Sequence, residues 1–223
     1  MFKKGELMYS DGVLKDFPTP EIDPYLVKHA HDTFHVASLS AEDFIDRRPH
    51  AVIGMVNGEI TTTDGGYTDR IDVDYDILKI AVIERHKNTH HIGLGYIKGY
   101  GLKKGAVATS ISHDSHNIIV VGTNEEDMAF AANHIVRNHG GITVVEDGAV
   151  KGDVLLAIAG IMSDDSLVNV NRDLESAKAA AYALGVSEGI DPFMTLSFMA
   201  LPVIPSLRIT TRGVFDVTSQ RYV

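Results

Sequence analysis

A chain of 223 residues, 44% of them hydrophobic, is long enough to bury a real core as one large domain or one domain with an appendage, so a disordered chain is excluded. A formal charge of −10 without a long basic run argues against a nucleic-acid partner, and the lack of cysteine excludes disulfides, thiolate nucleophiles and cysteine-ligated metal centres. With no apolar leader core in MFKKGELMYSDG and no apolar run of bilayer length, the expectation is a soluble, cytoplasmic protein with a small or uncharged ligand and no membrane.

Taken in order, the first fourteen residues turn around Lys3-Lys4-Gly5 and again at Ser10-Asp11-Gly12, which predicts a short edge hairpin. Prolines from Phe17-Pro18-Thr19-Pro20 to Asp23-Pro24 predict a linker, so the boundaries expected are 1–32 for hairpin and linker and 33–223 for the main domain. His29 and His31 form an H-x-H pair, with His35 close by. Their polar, proline-rich context favours an exposed or partner-facing segment over the end of a buried, metal-binding strand. Ser40-Ala41-Glu42-Asp43 predicts a short capped helix closing at Arg47-Arg48-Pro49, and Ala51–Val56, Asn57-Gly58 and Glu59–Thr63 predict a hairpin with a two-residue turn. Ile77–Ile83 is a strong strand ending in Glu84-Arg85-His86, charged groups well placed to line a site or simply to meet solvent. The glycines at 93, 95, 99, 101 and 105 miss the G-x-G-x-x-G dinucleotide spacing and predict tight turns and close backbone packing instead.

Between the β-branched runs Val107–Ile111 and Ile118–Val121 lies the polar insert His113-Asp114-Ser115-His116-Asn117, carried to the end of a sheet if those runs are strands. Two imidazoles and a carboxylate within four positions suit proton relay, metal contact or hydrogen bonding to a polar heterocycle. They suit equally a polar loop packed on its neighbours, since H-x-x-H alone is a partial metal site. Thr123-Asn124-Glu125-Glu126 then predicts a capping box for an amphipathic helix ending at Gly140-Gly141, with His134 and His139 explained by the helix dipole and exposure. Ile142–Val145 predicts a strand, Asp147-Gly148 a turn and Leu155–Ile161 a further apolar run; the natural unit is strand–helix–strand. Helices ending at Gly185 and starting at Asp191-Pro192 follow, the latter apolar nearly all round, and strands near Leu207–Thr210 and Gly213–Val217 close the chain. The fold class expected is α+β (mixed α/β), with sheets packed against about three main helices.

The blocks IERH at 83–86, GLGYIKGYGLKKGAVATSISHDSHNIIVVGTNEEDMAFAANHI at 93–135, IAGIMS at 158–163 and DPFMTLSFMALPVIPSLRITTRGVFDV at 191–217 resemble, in order over nearly the whole chain, the C-terminal region of bacterial adenine deaminase, of the amidohydrolase superfamily. The resemblance implies purine salvage, adenine and water giving hypoxanthine and ammonia. It also implies an N-terminal hairpin left from the β domain that accompanies the family's barrel. That metal-binding barrel is expected before residue 1, holding manganese or iron, with no cofactor and no metal bound by this chain alone. Accessory catalytic roles then fall to His113, Asp114 and His116, and substrate contacts to Glu84, Arg85, His86 and Asn117. The partner expected is an adenine deaminase barrel domain or subunit, with homo-oligomerisation through exposed apolar surface. A stand-alone purine- or metabolite-binding module is the alternative, and an independent metal hydrolase built on His113 and His116 a third reading.

Overall fold

The computed structural model describes residues 1–16 and 20–223, so 17–19 of the expected linker lie outside the described residues. Two small hairpins open the chain, β1 (Phe2–Lys3) with β2 (Glu6–Leu7) and β3 (Tyr9–Ser10) with β4 (Val13–Leu14). Their turns are the predicted ones, with Lys4-Gly5 and Asp11-Gly12 both at positive φ, as a type I′ turn requires. The next segment corrects the expected polar linker. Pro24–His31 is a helix, α1, in which the Asp23 carboxylate accepts the Tyr25 N–H and Pro24 occupies the first turn. Proline there removes no hydrogen bond the helix needs, so the residue read as a breaker is a starter. His29 and His31 lie in its last turn, beside the exposed carbonyl end of the helix dipole.

The body of the protein is an eight-stranded sheet in the order β12-β11-β9-β10-β7-β8-β5-β6. Its strands are β5 (His50–Met55), β6 (Thr62–Thr68), β7 (Ile77–Ile83), β8 (Ile92–Lys98), β9 (Ala106–Thr109), β10 (Ile118–Gly122), β11 (Gly141–Glu146) and β12 (Ala149–Leu155). Every pairing is antiparallel except β5 with β8. The inner strands are apolar at consecutive positions because both faces are covered. Ile80, Val82, Ile119, Val121 and Val144 face one core, and Ala81, Ile83, Ile118, Val120 and Ala108 face the other.

Over the second face lies α2 (Glu125–Arg137), whose Met128, Ala131, Ala132 and Ile135 are buried against it. Small residues at Ala81, Ala106 and Ala108 let it approach closely. Its N-cap is Asn124, whose side chain accepts the Asp127 N–H, one residue later than the capping box expected at Thr123. The first face is covered by α3 (Leu167–Ala183), α4 (Pro192–Met199) and a three-stranded sheet of β13 (Leu207–Thr210), β14 (Gly213–Asp216) and β15 (Arg221–Tyr222). Asp191 caps α4 with Pro192 in its first turn, as predicted.

Three further expectations change. Asn57-Gly58 does not make a two-residue hairpin turn. Met55 pairs with Thr62 across the longer loop 56–61, in which Asn57-Gly58 form a turn closed by the Glu59 N–H on the Val56 carbonyl, and Thr62 bonds in addition to the Pro205 and Leu207 carbonyls. The apolar run Leu155–Ile161 is largely irregular, and β12 precedes it, joined to β11 by Asp147-Gly148, both at positive φ. The run at Ile92–Lys98 is a strand despite its glycines. A Cβ on Gly93 would overlap the Thr210 carbonyl, and one on Gly95 the Val214 side chain, so the missing side chains let the small sheet cross β8 at backbone distance.

Candidate functional site

Strands β9 and β10 are neighbours near the middle of the sheet, and the insert is the loop joining them. Because Ile118 pairs with Ile83, the last residue of β7, the triplet Glu84-Arg85-His86 emerges beside the insert at the same sheet end. The register thus brings together all seven sequence-selected positions, His113, Asp114, His116, Glu84, Arg85, His86 and Asn117.

Arg85 organises this end. Its side chain is buried, and its guanidinium donates to the His116 carbonyl, to the Thr33 carbonyl at 2.8 Å and hydroxyl at 3.2 Å, and to the Ala159 carbonyl at 2.9 Å. The Phe34 ring lies 4.2 Å from the guanidinium carbon. Three segments distant in sequence are tied by one planar fork, a task suited to arginine and not lysine. Burial lowers its pKa to about 10, which leaves it cationic at neutral pH. Asn117 is also buried, and its side-chain oxygen accepts the Arg85 backbone N–H at 3.2 Å. Glu84 accepts N–H groups from His86, Lys87 and Thr89 and the Thr89 hydroxyl, closing the turn after β7. Burial works to raise its pKa, but those hydrogen bonds outweigh it and hold the carboxyl below its ordinary value. Arg85 and Glu84 therefore spend their polar atoms on the chain itself, and Asn117 spends its side-chain oxygen there.

The other four groups are of another kind. His86 Nε2 lies 2.8 Å from the Ser115 carbonyl, so that nitrogen carries a hydrogen, and in the neutral ring Nδ1 is the acceptor. Asp114 stands in solvent, with 86% of its side chain exposed, and its carboxylate is 3.4 Å from His113 Nδ1. The His113 ring stacks on Phe198 of α4 at 5.0 Å and lies 6.4 Å from the His116 ring. His116 is half-buried at a φ of 49°, and its N–H donates to the Ser112 carbonyl at 2.6 Å. Burial, and then the positive charges of Arg85 and His113, lower its pKa, so it is chiefly neutral near pH 7. Its Nδ1 is buried without a partner, as are the hydroxyls of Ser112 and Ser197. Unpaired buried polar atoms are uncommon in folded proteins, and three fall around this one loop. A cleft of about 310 Å³ opens beside Asp114, Ser115 and Asn117, with Leu201, Val203 and Thr210 on its other walls.

Sequence reading missed Ser112, Ser197 and Phe198. Only the tertiary packing of α4 on the insert gives them a place, although Phe198 stood in a helix already known to be apolar all round. Among the described residues no three His, Asp or Glu side chains converge in a ligand-like group, and His29 and His31 gain no third partner. Among those residues, too, no helix is long and apolar enough to cross a membrane.

Residues 54–221 match the family described as Adenine deaminase C-terminal domain. The chain is 50% identical over 152 residues to an adenine deaminase of Bacillus subtilis, covering 68% of this chain and 26% of that relative. It is 46% identical over 176 residues to adenine deaminase 2 of Carboxydothermus hydrogenoformans, covering 75% and 31%. With an adenine deaminase of Clostridium acetobutylicum the identity is 38% over 235 residues, covering 100% of this chain and 40% of the relative. The chain thus spans between a quarter and two fifths of the length of these curated relatives. A match over three quarters of the chain, to relatives that share one name, places this protein in the adenine deaminase C-terminal domain family.

Proposed function

We propose that this chain works as the C-terminal part of an adenine deaminase, closing or supporting a metal-dependent barrel in which adenine and water become hypoxanthine and ammonia. The observation that carries the reading is the sheet-end insert. Arg85 holds its backbone at the His116 carbonyl and its Asn117 side chain is tied to the Arg85 N–H, while Asp114 stands in solvent beside the cleft with His113 next to it. Deamination needs an activated water, a proton shuttle and a pocket for the base. This chain's residues suit the last two. His113 with Asp114 can pass a proton, neutral His116 can hydrogen-bond a heterocycle, and neutral His86 presents Nδ1 as an acceptor.

Arg85 and Glu84 act in this reading as positioning residues rather than substrate contacts, while Asn117 supports Arg85 from the wall of the cleft. In this reading the barrel holds the divalent manganese or iron. Exposed apolar side chains on α1, Tyr25, Leu26 and Val27, support a face that a barrel domain or a second copy of the chain covers. The function fits purine salvage in the cytoplasm.

The test is reconstitution. The purified chain with manganese, iron or zinc should release no ammonia from adenine. Co-expression with the part of the Bacillus subtilis relative that precedes the matched region should give a complex that does. Brisk deamination by the isolated chain would refute the proposal, as would failure of the two parts to associate. A second reading, a stand-alone purine-binding module, is favoured by the cleft beside Asp114 and Asn117. Calorimetric binding of adenine by the chain alone, without ammonia release or association, would select it.

A further inference from the structure

A separate cavity of about 290 Å³ lies on the first face of the sheet, between the sheet and helices α3 and α4. Its walls include Thr109, Ile111, Ile142, Leu174, Phe193 and Ser197, and the ion pair of Lys178 Nζ with Asp191 Oδ2, at 2.9 Å, borders it. Small-molecule sites are mostly apolar hollows with few polar groups, and this volume is at the lower end of their range of roughly 300–1,000 Å³.

One polar group here is unspent. Ser197 is 1% exposed, and its hydroxyl has no hydrogen-bond partner in the chain. A buried hydroxyl left unpaired is destabilising, and a ligand group that bonds to it would recover that loss. Two neighbouring oxygens already accept hydrogen bonds. Thr109 Oγ1 accepts the Ile111 N–H at 3.0 Å, and Asp191 Oδ1 caps α4.

The same helix reaches the insert. The Ser197 carbonyl accepts the His113 N–H at 3.2 Å, and the neighbouring Phe198 ring lies under the His113 imidazole. We propose that this cavity binds a small, mainly apolar molecule carrying one hydroxyl or carbonyl group, held by Ser197, and that its occupancy is transmitted through α4 to His113. The site is distinct from the cleft beside Asp114 and does not depend on the deaminase reading.

Phenol is the probe, titrated into the full 223-residue chain labelled with ¹⁵N. A ligand so small should bind with a Kd on the order of 1 mM. Saturable amide shifts are expected at Thr109, Ile111 and Ser197, and at His113 with the same apparent Kd. Ser197→Ala should weaken phenol roughly threefold to tenfold, the worth of one hydrogen bond, and leave toluene unaffected. Leu174→Phe should fill the cavity and abolish both.

Non-saturating shifts in the folded wild-type chain would overturn the proposal. So would phenol binding indifferent to Ser197→Ala, or shifts confined to the Asp114 cleft. Saturation at the cavity with no response at His113 would overturn the coupling. The wild-type titration decides the matter even if Leu174→Phe does not fold.

Discussion

Replacing Arg85 with methionine keeps much of the side chain's volume and removes the fork that joins the insert to 33–34 and 158–160. Three carbonyls lose their donor: His116, Thr33 and Ala159. At the lower end of the cost of stranding a buried acceptor, about 1 kcal/mol each, the loss is about 3 kcal/mol. Against it stands relief from burying a guanidinium, the same burial that draws its pKa down to about 10. The net expectation is a destabilisation of about 2 kcal/mol, read as a lower urea midpoint at unchanged slope. Arg85→Lys should recover only part of it, since one ammonium cannot span all three carbonyls. Hydrogen exchange gives the local reading: the His116 amide, bonded to Ser112, should exchange faster in both variants. A loss under about 0.5 kcal/mol, with His116 exchange unchanged, would refute the clamp.

Gly93→Ala should cost about 2–3 kcal/mol in a thermal or urea melt, because the new methyl meets the Thr210 backbone, whereas Gly189→Ala, facing only the flexible Asn57 side chain at 3.1 Å, should cost far less. His116 has a folded pKa below its ordinary 6.5, so the unfolded chain takes up the proton first; its effect is nil well above that pH and destabilising as pH falls through the ordinary and then the folded value. Stability measured between about pH 7 and 5 should therefore fall less steeply in His116→Gln than in the wild type. Asp191→Ala should lose about 1–2 kcal/mol through the α4 cap and the Lys178 pair, and Asp191→Asn less, because its Oδ1 can still accept the Phe193 and Met194 N–H groups.

The central strands and caps were legible in the sequence because their signals are local. Ile77–Ile83 and Ile118–Val121 are β-branched runs, Asp191-Pro192 is a cap with its proline, and Asp147-Gly148 suits a positive-φ turn. The sites where sequence reading went astray are those decided by distant partners. Gly93 and Gly95 look like turn residues until β13 and β14 cross them, and Asn57-Gly58 looks like a tight hairpin, whereas the ladder starts at Met55 and Thr62, the latter bonded also to Leu207. α1 was hidden by the prolines that precede it. The grouping of the insert with Glu84-Arg85-His86 followed from two strands being neighbours, a pairing that composition does not reveal. That Arg85 faces inward to three carbonyls is visible only in the folded chain.

The most direct measurement is adenine turnover in the complex reconstituted with the N-terminal part of the Bacillus subtilis relative, compared across three variants of this chain. Asp114→Ala and His116→Asn, the latter tolerant of the positive φ at that position, should each lower kcat by roughly a hundredfold, the first through a lost proton-transfer partner and the second through a lost hydrogen bond to the base. His29→Ala, on α1, should leave turnover within about twofold. Full activity in the Asp114 and His116 variants, with the complex intact, would contradict the account and reduce the insert to a structural loop.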